Sequence, residues 1–269
     1  MFELSQPIQR SRIRQLLGRE FHIAKRKIHW SMGGQTWAAR SDALLINHLK
    51  FNHQSLILRP LSGVDPQLQH NKRRNLQLAI ARLDRVVLRP GDTFSVWKLV
   101  GRPTRSKGYL DGLVLKQGTI AQGLGGGLCQ LGNLLFWIAG HSPLTITERW
   151  RHGFDVFPDV NRSIPFGAGA TLAYNYVDLQ LTNQTAYCFR IHLWLDEMYL
   201  HGELFCDTNY SSTYILEERH HQIKQQVWGG YSRHNQIYQI RQNSDGSSSD
   251  KLLVENHALM MYEPLLTAA

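Results

Sequence analysis

"GLGGGLCQLGNLLFWIAG", from Gly123 to Gly140, decides how the rest of the chain is read. Three consecutive glycines, Gly125, Gly126 and Gly127, precede a lone thiol, Cys129, and an almost wholly apolar run follows. Leu131, Leu134, Leu135 and Ile138 fall at i, i+3, i+4 and i+7, while Phe136 and Trp137 cover the other side. A helix that is apolar all round is a buried one. The stretch predicts a central buried helix that starts at a glycine-rich turn and stops at Gly140.

The flanking sequence indicates what packs around it. Just upstream, "GYLDGLVLKQGTIAQGLGGG" predicts two short strands turning near Gln117-Gly118. "NKRRNLQLAIARLDRVVL" places Leu76, Ala79, Ile80 and Leu83 on one helix face, and "RPGDTFSVW" follows as a turn and a short strand. "SLILRPL" at 55–61 is strand-like and ended by Pro60. Residues 7–29 space Ile8, Ile13, Leu16, Leu17, Phe21 and Ile23 among basic residues, as an amphipathic basic helix with Gly18 a point of interruption.

Downstream the period becomes two. Leu144, Ile146, Trp150, His152, Phe154 and Val156 share one face of a predicted strand. In "TLAYNYVDLQLTNQT", Ala173, Asn175, Val177, Leu179 and Leu181 share another, and "YCFRIHLWL" reads as a third strand. "QVWGGYSRHNQIYQI" and "DKLLVENHALMMYEP" are strands joined by "RQNSDGSSSD". The expected fold class is α+β, a buried helix packed on a mostly antiparallel sheet. The expected organisation is a basic, helix-rich region at 1–54, a core at 55–200, and a strand-rich extension at 201–269 packing on it.

At 269 residues with 42% hydrophobic content, the chain can bury a sizeable core. No stretch approaches the roughly 20 apolar residues of a membrane span, and the charged N-terminus lacks the apolar centre of a secretory signal. The expectation is a soluble, cytoplasmic protein, with peripheral membrane contact as the variation. Its three cysteines are scattered and odd in number, which suits a reducing compartment, and Cys188 and Cys206 read as small buried hydrophobes. The net charge of +9 is concentrated in residues 1–75, which hold 13 Lys/Arg against 4 Asp/Glu. Such a face meets solvent or an anionic partner. Without a zinc-finger or RNA-binding signature, specific nucleic-acid recognition is not expected, and an anionic membrane surface is the preferred partner class.

The same stretches can carry chemistry. A helix N-terminus stabilises a thiolate, which makes Cys129 a candidate nucleophile. His152 is placed to act as base, and Asn175, one strand further on, to orient it. The backbone of Gly125, Gly126 and Gly127, with the Gln130 side chain, would bind an oxyanion. Cys, His and Asn on helix, strand and strand is the layout of papain-like and NlpC/P60-type thiol hydrolases. The structural alternative makes His152 a satisfied core histidine and the glycines a close-packed turn. Asp155, Asp159 and Asp178 are acidic alternatives to Asn175 but have the opposite strand parity. His141, His152, His201, His220 and His221 with Cys129 lack any recognised ligand spacing, so no metal is expected. Leu128-Cys129 stands where a phosphate loop needs Lys-Ser/Thr, so no cofactor is expected either.

"NLQLAIARLDRVVLRPGDTFSVWKLVGRPTRSKGYLDGLVL", "GLGGGLCQLGNLLFW", "ERWRHGFDVFPD" and "PFGAGATLAYNYVDLQLTNQT" together resemble the VanW family. The similarity is dense over 55–200 and extends to the basic N-terminus and "LLVENHALMMYEP". Cys129, Gln130 and His152 match the family's characteristic positions. Many broader relatives carry an Asp where this chain has Gly169, which leaves the histidine's orienting group to be supplied elsewhere, by Asn175 for example. The resemblance implies a cell-envelope and glycopeptide-resistance context. Two functions fit it. One is a cysteine-centred hydrolase or transferase acting on amide or peptide bonds of a cell-wall peptide or peptidoglycan precursor. The other is a non-enzymatic accessory or ligand-binding protein.

Overall fold

A computed structural model describes residues 11–42, 45–58, 65–116, 118–156, 164–174 and 177–264. The described residues begin with a helix, α1 (Arg12–Met32), then β1 (Ala39–Arg40), β2 (His48–Leu56) and α2 (Pro66–Leu83). β3 (Val86–Leu88), β4 (Thr93–Ser95) and the short α3 (Val96–Val100) lead to a hairpin, β5 (Asp111–Lys116) and β6 (Thr119–Leu124). The central α4 (Cys129–Gly140) follows, then β7 (Thr145–Glu148), β8 (Phe154–Asp155) and β9 (Gln180–Thr182). β10 (Phe189–Leu195), β11 (Tyr199–Cys206), β12 (Thr213–Gln225), β13 (Tyr231–Gln242) and β14 (Ser248–Met260) complete it. This is an α+β architecture with mostly antiparallel sheets.

Five strands in the order β1-β3-β10-β11-β2 form the largest sheet. In β10, Phe189, Ile191 and Leu193 are buried while Arg190, His192 and Trp194 are less so, and β11 alternates likewise through Leu200, Leu204 and Cys206. Against the inner face lies α4, whose Leu131, Leu134, Leu135, Phe136, Ile138 and Ala139 are all buried. It packs closely because Gly202 on β11 has no side chain: a Cβ there would lie 2.6 Å from Ile138 Cδ1. α2 begins with Pro66 after the Asp65 cap, which accepts from Gln67 N–H at 2.8 Å, and buries Leu76, Ala79, Ile80 and Leu83 in the same core.

The C-terminal strands form a second sheet, β12-β13-β14-β8, and send Leu216 and Ile237 into the common core. Gln239 on β13 donates to the C=O groups of Gly140 and Ser142, satisfying the end of α4. The expected hairpin at 108–127 is present as β5-β6, and of "RQNSDGSSSD" only 243–247 form the turn, the rest extending β13 and β14.

Several elements differ from the sequence expectation. The period-two run around His152 is no continuous strand. β7 ends at Glu148, and β8 is a two-residue segment paired parallel to β14 in a different sheet. The chain therefore leaves one sheet for another, and His152 lies on the irregular crossing. Among the described residues of 171–185, only Gln180–Thr182 is a strand, with an isolated bridge between Ala173 and Val177. β2 starts earlier than expected and ends at Leu56, the residue that pairs with Tyr199 at the start of β11; Pro60 lies outside the described residues. α1 runs through Gly18 without interruption, a position that costs only about 1 kcal/mol against alanine.

Candidate functional site

Cys129 is the first residue of α4, as its place after the glycines predicts. The three glycines turn the chain through two left-handed conformations, Gly125 (φ 74°) and Gly127 (φ 92°). Gly126 between them is pressed onto another backbone, where a Cβ would lie 2.2 Å from the Gly112 carbonyl carbon. All three N–H groups donate within the chain: Gly125 to Leu110 C=O, Gly126 to Gly123 C=O, and Gly127 to Leu113 C=O. Asn75, fully buried on α2, completes this joint. Its amide donates to the C=O groups of Leu110 and Gly126, and its carbonyl accepts from Leu110 N–H, each at 2.9 Å.

Gln130, expected near an oxyanion, points to β2. Its amide nitrogen donates to Ser55 Oγ at 2.8 Å and Leu56 C=O at 2.9 Å, tying α4 to the strand. The Cys129 thiol is engaged twice by one backbone unit. The S–H donates to Leu172 C=O at 3.7 Å, and Leu172 N–H donates back to Sγ at 3.5 Å. Burial pushes the thiol pKa above its ordinary value, outweighing the help from the Leu172 and Cys129 amides. At neutral pH the group is a thiol.

His152 is held one residue away on the same segment. Thr171 Oγ1 accepts from the His152 N–H at 3.1 Å and pairs with the ring Nδ1 at 3.1 Å. Burial, joined by the positive charges of Arg151 and Arg149, lowers the His152 pKa to about 4, so the imidazole is neutral at pH 7. Among the described residues no hydrogen bond links Cys129 to His152. Asn175 and Asp159 lie outside the described residues. Asp155 is buried with Arg233 and Tyr262, and Asp178 accepts from Ser95 and from Trp97 N–H at the start of α3.

The centre of the arrangement is thus residues 169–172. Arg149 donates to Gly169 C=O at 2.9 Å, to Gly167 C=O at 2.6 Å and to Asn256 Oδ1 at 2.8 Å. Ala170 N–H donates to Asn133 Oδ1 at 3.0 Å, Thr171 N–H donates to Trp150 C=O at 2.8 Å, and Leu172 pairs with Cys129. Cys129 and Asn133, one turn apart on α4, therefore grip one side of the segment, and residues 149–152 grip the other. A Cβ at Gly169 would lie 2.2 Å from Asn133 Oδ1, so Asn133 fills the space that an aspartate side chain there would enter.

Sequence reasoning did not single out Thr171, Arg149, Asn133 or Asn75. Asn75 had a signal, since it sits four residues before Ala79 on an apolar helix face. The histidines weighed as metal ligands go separate ways: His141 is bound to Trp137 C=O and stacks on Phe51, and His201 pairs with Asp196. Among the described residues, no three His, Cys, Asp or Glu side chains gather in a cluster able to hold a metal ion.

Residues 71–205 match the family described as VanW like protein. The chain is 34% identical over 197 residues to the Vancomycin B-type resistance protein VanW of Enterococcus faecalis, covering 72% of each chain. It is also 34% identical over 119 residues to the uncharacterized protein YoaR of Bacillus subtilis, covering 42% of this chain and 37% of that one. No solved structure matches.

Proposed function

The chain belongs to the VanW family, and from that membership we propose that it serves as a non-enzymatic accessory factor of the cell envelope in a glycopeptide-resistance setting. The setting comes from the E. faecalis relative, whose name is that of a vancomycin B-type resistance protein. The observation that carries the non-enzymatic half is the state of Cys129. Its hydrogen bonds in both directions close on Leu172, and burial holds the thiol protonated. A nucleophile needs the thiolate and a competent base within reach, whereas His152, its pKa lowered to about 4, is a weak base whose Nδ1 is engaged by Thr171. In this reading GGGLCQ is a structural joint that fixes α4 to the β5-β6 hairpin, α2 and β2.

The test is thiol reactivity paired with a phenotype. In the folded protein at pH 7, Cys129 is expected to alkylate no faster than a model thiol. Cys129→Ala is expected to keep vancomycin resistance in a host that depends on this chain for it. Fast alkylation at pH 6–7, or loss of resistance in a folded Cys129→Ser variant, would sink the proposal.

A second reading has one observation in its favour. Cys129 and His152 are bound to consecutive residues, Leu172 and Thr171. One withdrawal of this segment frees thiol and imidazole together. The chain would then be a cysteine-centred hydrolase or transferase of amide bonds in a cell-wall peptide or peptidoglycan precursor. Cys129 would be the nucleophile, His152 the base and Asn175 its orienting group. Gln130 and the N–H groups of Gly125–Gly127 would have to exchange their present partners to bind an oxyanion.

A further inference from the structure

α1 is attached to the body by one side only. Ile23 is buried, Trp30 packs on the core, and Arg26 forms a two-bond fork with Glu148 at 2.5 and 2.6 Å. Glu20, its one acidic residue, is held by Arg102. The opposite side carries Ile13, Leu17, Phe21, Ile28 and Met32, which are 57–80% exposed, with exposed Ala24 among them. These residues recur every three or four positions, so they form one unbroken stripe along the helix. Most surface helices turn their apolar stripe inward, and this one turns it out. Exposed Arg14, Lys25 and Lys27 border the stripe.

We propose that α1 is a docking helix that lies flat on an anionic lipid surface, its stripe among the acyl chains and its basic border on the headgroups. An in-plane amphipathic helix is recognised by this combination: an apolar face, a Lys/Arg-rich border and too little overall hydrophobicity to span. No helix among the described residues is long and apolar enough to cross a membrane. Charge decides between lipid and a second copy of the chain. Pairing two α1 stripes brings the Arg14, Lys25 and Lys27 borders together, which repels, whereas anionic headgroups neutralise them. The 13 Lys/Arg against 4 Asp/Glu in residues 1–75 act in the same direction. Because the fork on Arg26 ends at Glu148, the last residue of β7, a docked α1 also fixes how residues 149–152 face the membrane.

The test is cosedimentation of the full chain with vesicles of phosphatidylcholine, alone or mixed with phosphatidylglycerol, at low and high salt. Binding is expected only to the anionic vesicles, with loss at high salt. Leu17→Glu combined with Phe21→Glu is expected to weaken it by at least about tenfold. Both residues are exposed, so the thermal melt of the variant should match the parent and exclude misfolding. The proposal is overturned by no binding to anionic vesicles at low salt, by equal binding to both vesicle types, or by binding that the double variant leaves unchanged. Sedimentation velocity showing a dimer that the same variant dissociates, without vesicle binding, assigns the stripe to a second copy and overturns it too.

Discussion

Replacing Gly126 by alanine isolates the cost of the glycine joint. Gly126 has no positive φ, unlike Gly125 and Gly127, so a methyl group there meets only steric resistance. Its Cβ would stand 2.2 Å from the carbonyl carbon of Gly112 and 2.3 Å from its oxygen. Both are backbone atoms, so the two segments must separate by about 1 Å or more to reach ordinary contact. That movement strains the 2.9 Å bond from Asn75 to Gly126 C=O and the 3.0 Å bonds from Gly125 and Gly127 N–H to the hairpin. Overpacking of this kind costs about 1–3 kcal/mol, and each weakened buried hydrogen bond adds about 1 kcal/mol. The expected destabilisation is about 3–5 kcal/mol, at the upper end for a single substitution. For a chain of this size it lowers the midpoint of thermal unfolding by about 10 °C. Urea unfolding and a thermal melt measure it, with Gly153→Ala as control, since a Cβ there meets nothing within 4 Å. A Gly126→Ala variant within about 1 kcal/mol of the parent would refute the close-contact reasoning.

Acid should expose the state of His152. Its folded pKa of about 4 lies below the ordinary histidine value, so its contribution to stability is complete above about pH 6.5 and is lost as pH falls toward 4. The loss is on the order of 3 kcal/mol. His152→Gln should flatten the fall of stability over that window, and an unchanged slope would contradict the assignment. Arg149→Lys should not substitute for arginine, because one ammonium cannot span Gly167 C=O, Gly169 C=O and Asn256 Oδ1 as the planar guanidinium does. A cost of about 2–4 kcal/mol by denaturant unfolding is expected, and parent-like stability would show those bonds to be dispensable.

Where local pattern and tertiary role coincide, the fold was legible. α4 is apolar but for Gln130 and Asn133 and sits at the centre, and the face of α2 that carries Leu76 and Leu83 is the buried one. Legibility failed where a distant residue decides. The alternation from Leu144 to Val156 exists in the sequence but not in the burial, since Trp150 is exposed and Asp155 buried, and β8 takes its partner from β14, which no local window contains. In α1 the periodicity gives a helix without saying which face goes inward, and the choice is made by Arg26 with Glu148, 122 residues away. The site divides in the same way. The helix start at Cys129 could be read from the glycines, whereas Thr171 and Leu172 are ordinary residues whose role arises from what they touch.

The contact of Gly126 with Gly112 contains no side chain, so nothing within it can swing, rotate or be exchanged. Together with Asn75 it makes the start of α4, the β5-β6 hairpin and α2 one body. Residues 169–172 meet that body mainly through side-chain bonds from Cys129 and Asn133, which can break singly. Any opening at this place is therefore lopsided, with a stationary jaw built on the helix and a moving one made of the segment from Gly169 to Leu172. Amide exchange should record the difference, fast at Ala170 and Leu172 and slow at Gly125 and Gly127.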